Sequence, residues 1–443
     1  MRRHLLWLGI LLGAVLAVTT QAHDDNATYE VWAIDQSNSP GATYGGTVYI
    51  WEGRALENRE RASRARAETI DLSQAAADLC LATTGAAPVR PHMMAMSPSQ
   101  THAVIAFVGT GHVLFMDAAR RTPVACFRMS PGVNGLQQAH MATPSPDGTY
   151  VTVANQNGKL FERIWTDYAT NTFMHETGAT LNLATCTTPN GLPCQDPAIR
   201  PDNAPICPIT ESTSRYTYVT LRGGGLFVVD SRATPMQIVG EYDVNAVHGN
   251  GCLGAEVPGK MYIDSGGGTA ANLHQADLYA FPVDGFSTAN PPNVPERTLV
   301  FRDDSEGADA HGAALTKHGR YLWIADRGRN FIWVVKTATD DIANFIYLAG
   351  DVSDDPTPDL VAVSPNGSHA FLSLRGPNPL TADPHVSTGS TPGVGVVKVT
   401  EGGRNGVFES VARVSNIDDG GVERADVHAM TLRVVRPRGH RGR

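Results

Sequence analysis

His311-Gly-Ala-Ala-Leu-Thr316-Lys-His-Gly319-Arg-Tyr321-Leu-Trp-Ile-Ala-Asp326 decides how this chain is read. A histidine opens the stretch and a hydroxyl residue follows five positions later. A glycine comes eight positions after the histidine, and then an apolar run that reads as a strand. The same plan recurs at His92 with Ser97, at His140 with Ser145 and Gly148, and at Asp359 with Ser364 and Gly367. Apolar runs follow at Ala103–Phe107, Tyr150–Ala154 and Ala370–Leu374. Segments starting at His248 and His428 fit more loosely. A unit repeated in this way packs against its neighbours, so a chain of this length needs no single large core.

Each unit spans about 40 to 70 residues and reads as four short strands separated by polar or glycine turns. Residues 92–130 hold one complete copy. Its second and third strands recur at Val31–Asp35 with Thr47–Trp51, Val151–Asn155 with Lys159–Ile164, and Tyr218–Leu221 with Leu226–Val229. They recur again at Met261–Asp264 with Asp277–Phe281, Leu322–Asp326 with Phe331–Val335, and Ala370–Leu374 with Gly395–Val399. The first copy lacks an opening strand, and residues 427–435 supply a surplus one at the other end. Pairing the two removes the exposed edges that an open array would leave. The expected fold is therefore all-β, a seven-bladed β-propeller over residues 23–435, closed by its N- and C-terminal strands. The insertions at 38–46, 183–210, 265–276 and 376–394 fall on one face, which marks a working face.

Residues 1–22 read as a secretory signal peptide: Arg2 and Arg3, the apolar run Leu5–Val18, and a small-residue cleavage site ending at Ala22. That run is too short to span a bilayer, and no later segment is long and apolar enough. A periplasmic or secreted protein is expected. The formal charge of -9 becomes -11 once Arg2 and Arg3 are removed, which argues against a nucleic-acid partner. Residues 436–443 form a short basic tail. Six cysteines in an exported chain point to disulfides, with a local staple among Cys186, Cys194 and Cys207.

If the repeats surround an axis, their opening residues meet there. His92, His140, His248, His311, His428 and Asp359 become candidate ligands of a transition metal. Met93, Met94, Met141 and Met430 lie beside them and favour copper over zinc or iron, because thioethers suit the cuprous ion. Asp309 and Asp426 stand two residues before His311 and His428, on the same strand face, where they would orient the imidazoles. Arg222, Arg327 and Arg375 end second strands at the same mouth and would hold an anionic substrate or form ion pairs between blades.

The Ser-Pro-Asp-Gly-type turns at Ser145–Gly148 and Ser364–Gly367, with strands such as Tyr321–Asp326, resemble those of YncE-like, YVTN-type seven-bladed propellers. They are also similar to the superfamily containing the N-terminal propeller of nitrous oxide reductase. That enzyme sets histidines of successive blades around copper, and the resemblance implies the same for the histidines named above. It also carries a cupredoxin-type domain with a paired-cysteine copper motif. This sequence shows none, so nitrous oxide reduction is not expected. Selenium-binding proteins and methanethiol oxidases share the architecture.

These readings lead to an exported propeller with an axial copper site, acting as a metal-dependent oxidoreductase on a small molecule. One alternative is a non-catalytic propeller that binds a partner protein through its top-face loops. A second is a lactonase-type hydrolase, by fold analogy.

Overall fold

Ser97, Ser145, Thr316 and Ser364 do one job in four places. Each side-chain oxygen accepts the backbone N–H of the residue five positions on, at His102, Tyr150, Tyr321 and His369, at 3.0 to 3.2 Å. The hydroxyl thus closes the turn between the first and second strands of a blade. Glu211 replaces it in another copy and accepts from Tyr216 N–H at 2.9 Å. The spacing seen in the sequence is a turn lock.

The computed structural model describes residues 27–268, 273–289, 292–380 and 388–435. The expected leader and basic tail lie outside them. Seven antiparallel sheets form seven blades. Blade 1 is ordered Val427–Val435, Thr28–Asp35, Thr47–Glu52, Glu68–Asp71 from the axis outward. Its closure runs from Thr28 opposite Val435 to Asp35 opposite Val427. Blades 2 to 7 open with innermost strands Pro91–Met96, Ala139–Pro144, Pro205–Thr210, Gly254–Val257, Ala310–Leu315 and Pro358–Val363. Clusters of buried apolar side chains fill the spaces between blades. Met93, Met94 and Met141 belong to one such cluster and Met430 to another, so these four thioethers serve as packing.

Helices interrupt the all-β reading: two single turns at Gly53–Leu56 and Arg59–Ala62, and one longer element. Ala75–Thr84, with sequence AAADLCLATT, is a ten-residue helix. Alanine and leucine are strong helix formers, and Gly85 ends the helix in the left-handed region at φ 77°. The Cys80–Cys126 disulfide fastens it to the outer strand of blade 2, Thr122–Arg128. A second disulfide, Cys186–Cys194, is the local staple expected in the insertion. Cys207 is not part of it and remains a free thiol.

Candidate metal centre

The first strand of most blades breaks register at its inner end. Pairing skips at His92, at His140, between Pro205 and Pro208, at His311, at Asp359 and at His428. A bulge leaves one residue outside the ladder and re-aims its side chain. In blade 5, Asp264 N–H bonds Leu253 O and Gly266 N–H bonds Asn250 O, which brackets Gly251 and Cys252. The axial residues of blades 1 to 7 are thus His428, His92, His140, Ile206, Cys252, His311 and Asp359.

Contacts run round this ring. His92 Nε2 lies 3.2 Å from His140 Nε2. The His92 and His428 ring centroids are 3.9 Å apart, and those of His428 and His311 are 5.3 Å apart. His311 Nδ1 lies 2.7 Å from Asp359 Oδ1, and His428 Nδ1 lies 3.8 Å from Asp359 Oδ2. The two Nδ1 atoms have no directed hydrogen bond, so the close His311–Asp359 approach is an off-angle ionic contact. His92, His311, His428 and Asp359 are buried, with Asp359 at 0% exposure and these three histidines at 6% or less, while His140 is half-buried. His248 is not among them. Its ring pairs with Asp277 at 3.0 Å and its backbone N–H bonds the Tyr279 hydroxyl.

The tautomers on one side of the ring follow from their partners. Gln36 donates its amide N–H to Asp426 at 2.5 Å, which turns its carbonyl oxygen towards His92 Nδ1 at 2.8 Å. His92 therefore carries its proton on Nδ1. His140 Nδ1 donates to the Ile206 carbonyl at 3.1 Å. When both rings are neutral each Nε2 atom holds a lone pair, and the two Nε2 atoms face each other. Burial, reinforced by the His428 and His140 imidazoles, pushes His92 well below the usual imidazole range and opposes a second proton there.

Beneath the imidazoles lies a layer of buried charge. Arg375 is fully buried, forks onto Asp426 at 2.6 and 2.9 Å, and reaches Asp359 at 3.1 Å. Arg327 forks onto Asp309 at 2.8 and 3.0 Å and reaches Asp359 at 3.5 Å. These arginines tie blades together and do not present a free fork to an anion. Asp309 and Asp426 act on the imidazoles through the guanidinium groups and through Gln36. Arg222 is half-exposed and pairs with Asp202 at 2.6 Å.

Two guanidinium and three carboxylate groups leave this layer one negative charge in excess while the imidazoles are neutral. A proton on His311 or a bound cation at the axis balances it. Asp359 is held well below the usual carboxylate range, because His428, His311 and the two arginines outweigh the cost of burial. His311 is pushed up despite burial and Arg327, by Asp359 and Cys252.

Cys252 was not legible as an axial residue. Its thiol is pulled down to about 5, first by the Cys207 thiol and then by His311, against burial. Asp264 accepts from the N–H groups of Cys252 and Leu253 at 3.1 and 3.2 Å, while its second oxygen is buried and unsatisfied. Burial, then Cys252, pushes Asp264 up to about 8. Its folded value lies above its unfolded one, so burial of the carboxylate costs stability progressively from about pH 4 to pH 8. Asp264→Asn keeps an accepting oxygen and cannot ionise. It is expected to be more stable than the parent by about 2–4 kcal/mol at pH 8 and by nothing at pH 4. Thermal melts at the two pH values check this, and an equal change at both would sink it.

No family model matches the chain, and no curated protein matches it in sequence. Solved structures do match in fold. A hypothetical selenium-binding protein of Sulfolobus tokodaii superposes with a TM-score of 0.60 at 9% identity, over 92% of this chain and 93% of its own. A Lactobacillus plantarum protein gives 0.57 at 10% identity, over 91% and 99%. The periplasmic gluconolactonase of Pseudomonas aeruginosa gives 0.56 at 12% identity, over 93% and 100%. At such identities the likeness is one of architecture: the chain is a seven-bladed β-propeller, and a YncE-like family is not shown.

Proposed function

We propose that this propeller binds a transition-metal ion at its axis, through His92, His140, His311, His428 and Asp359. The observation that carries this reading is the pair of Nε2 atoms facing each other at 3.2 Å, with both Nδ1 atoms already engaged elsewhere. Two neutral imidazoles repel in that pose, and a shared cation, metal ion or proton, removes the repulsion. Ligand nitrogens about 2.0–2.1 Å from a tetrahedral ion stand about 3.3 Å apart, which matches. His311, His428 and Asp359 offer a second set of donor atoms, all within 4.8 Å of one another. Closing these on an ion of the same radius takes a shift of roughly 0.6 Å at most.

Imidazole with one carboxylate suits copper, zinc or iron, and divalent copper stands first by the general affinity order. The packed methionines no longer favour it. Beside the centre lies a small cavity lined by His140, Gln156, Asn250, Cys252, His311 and Arg327. A small molecule bound there would meet an ion with an open position, as Lewis acid or redox centre. A metal-dependent oxidoreductase is the activity this arrangement supports best. Two disulfides support an oxidising compartment, periplasmic or extracellular. Among the described residues no helix is long and apolar enough to cross a membrane.

The test is reconstitution of untagged protein with copper or zinc, followed by gel filtration and elemental analysis. About one ion per chain is expected, with nitrogen hyperfine structure in the spin-resonance spectrum of the copper form. Retention below about a tenth of an ion per chain rejects the reading.

A further inference from the structure

Cys207 and Cys252 are the two cysteines outside the disulfides, and both are buried. They come from neighbouring blades, 4 and 5, and both belong to one buried cluster. The backbone holds them there. Thr220 Oγ1 accepts the Cys207 N–H at 3.1 Å and donates to the Gly251 carbonyl at 2.5 Å, so one hydroxyl ties the two segments together. Closing a disulfide between them requires no large swing of either strand. The two thiols differ in access. Cys252 lines the small axial cavity with His140, Gln156, Asn250, His311 and Arg327, whereas Cys207 is not on its wall. A protein disulfide cannot bring its sulfur to either group, because both are sealed from the surface. Only a small oxidant fits.

We propose that Cys252 and Cys207 are a redox pair that reacts with hydrogen peroxide. The Cys252 sulfur attacks the peroxide O–O bond, takes up one oxygen as a sulfenic acid, and releases the other as water. The Cys207 sulfur then attacks the Cys252 sulfur, the S–O bond breaks, and water leaves. In sum, two thiols lose two protons and two electrons, and one peroxide bond is reduced. The disulfide would lock blade 4 to blade 5 at the axis and draw the Cys252 sulfur away from His311. The reaction needs no metal, so it stands or falls separately from the metal-binding reading.

The test uses the full chain with its two structural disulfides intact, treated with about one equivalent of hydrogen peroxide. Chelator-treated and copper-loaded samples are run side by side. Each is unfolded in N-ethylmaleimide and mapped by peptide mass spectrometry. Alkylatable thiols should fall from two per chain to none in both samples, with a peptide pair joined through Cys207 and Cys252. Cys207→Ser should instead hold a sulfenic acid at Cys252, trapped by dimedone, and Cys252→Ser should leave Cys207 alkylatable. Should either variant fail to fold, the thiol count and peptide map of the parent chain decide. Thiols that survive tenfold excess peroxide overturn the proposal. So does sulfenic acid at Cys207, or oxidation confined to the copper-loaded sample.

Discussion

Replacing His92 and His140 together by alanine is expected to lower bound metal from about one ion per chain to below about a tenth. The reason is local. Gln36 and the Ile206 carbonyl each fix one Nδ1 proton, so both Nε2 lone pairs are directed at one point. Removing both rings removes that point. The blades should survive, because these side chains sit outside the ladder at bulges and every strand pair stays intact. Circular dichroism separates loss of metal from loss of fold. Elemental analysis of a second variant, with His311 and His428 changed to alanine, tells whether the two halves of the ring share one ion. A shared ion is lost from both variants, whereas an ion held by His92 and His140 alone survives in the second. Unchanged metal content in both variants, with native circular dichroism, would show that the ions are bound elsewhere and end the axial reading.

Arg375→Met is expected to lower stability by about 3–5 kcal/mol. Arg375, Asp359 and Asp426 are all fully buried, and the guanidinium bonds both carboxylates. Without it, two buried carboxylates lose a shared counter-ion. The pH dependence follows from the sign of the shifts. In the parent chain Asp359 is depressed, so its contribution is present above the unfolded value near 4 and is lost only as pH falls through the lower folded value. In the variant, Asp359 rises instead, so its cost is smallest below about pH 4 and grows towards neutrality. The gap between parent and variant should therefore narrow on acidification. Denaturant midpoints at pH 4.5 and pH 7 measure it. A gap under about 1 kcal/mol at pH 7 would mean that the ion pairs carry little of the inter-blade stability.

The blades were legible because each spacing has a backbone cause. A hydroxyl five residues after the axial position closes the first turn, as Ser97, Ser145, Thr316 and Ser364 show. The same count works in blade 4 with Glu211 in place of the hydroxyl and lands on Ile206, which explains why no histidine stood there. His248 stands in a blade that lacks this marker. Pro91 faces Phe107, Ala139 faces Asn155, Ala310 faces Asp326 and Pro358 faces Leu374, sixteen positions apart in every case. In blade 5 the hairpin is tighter, with Val257 opposite Lys260 across Pro258-Gly259. Counting back from Asp264 through that short turn reaches Cys252, four residues beyond His248. The helix at Ala75–Thr84 was hidden for a different reason. Its pattern is too uniformly small and apolar to show a helical stripe, and its place is set by packing and the Cys80–Cys126 bond.

Taken alone, the sequence determined the seven blades, the closure by residues 427–435 and four of the axial imidazoles. Those features repeat at fixed intervals, and a repeat is a one-dimensional signal. Only the tertiary structure decided that Arg327 and Arg375 belong to buried ion pairs, that the methionines are core, and that Cys252 meets Cys207 and His311. These are contacts between different blades. Their geometry depends on how the ring closes in space, and residue order along one chain does not carry that information.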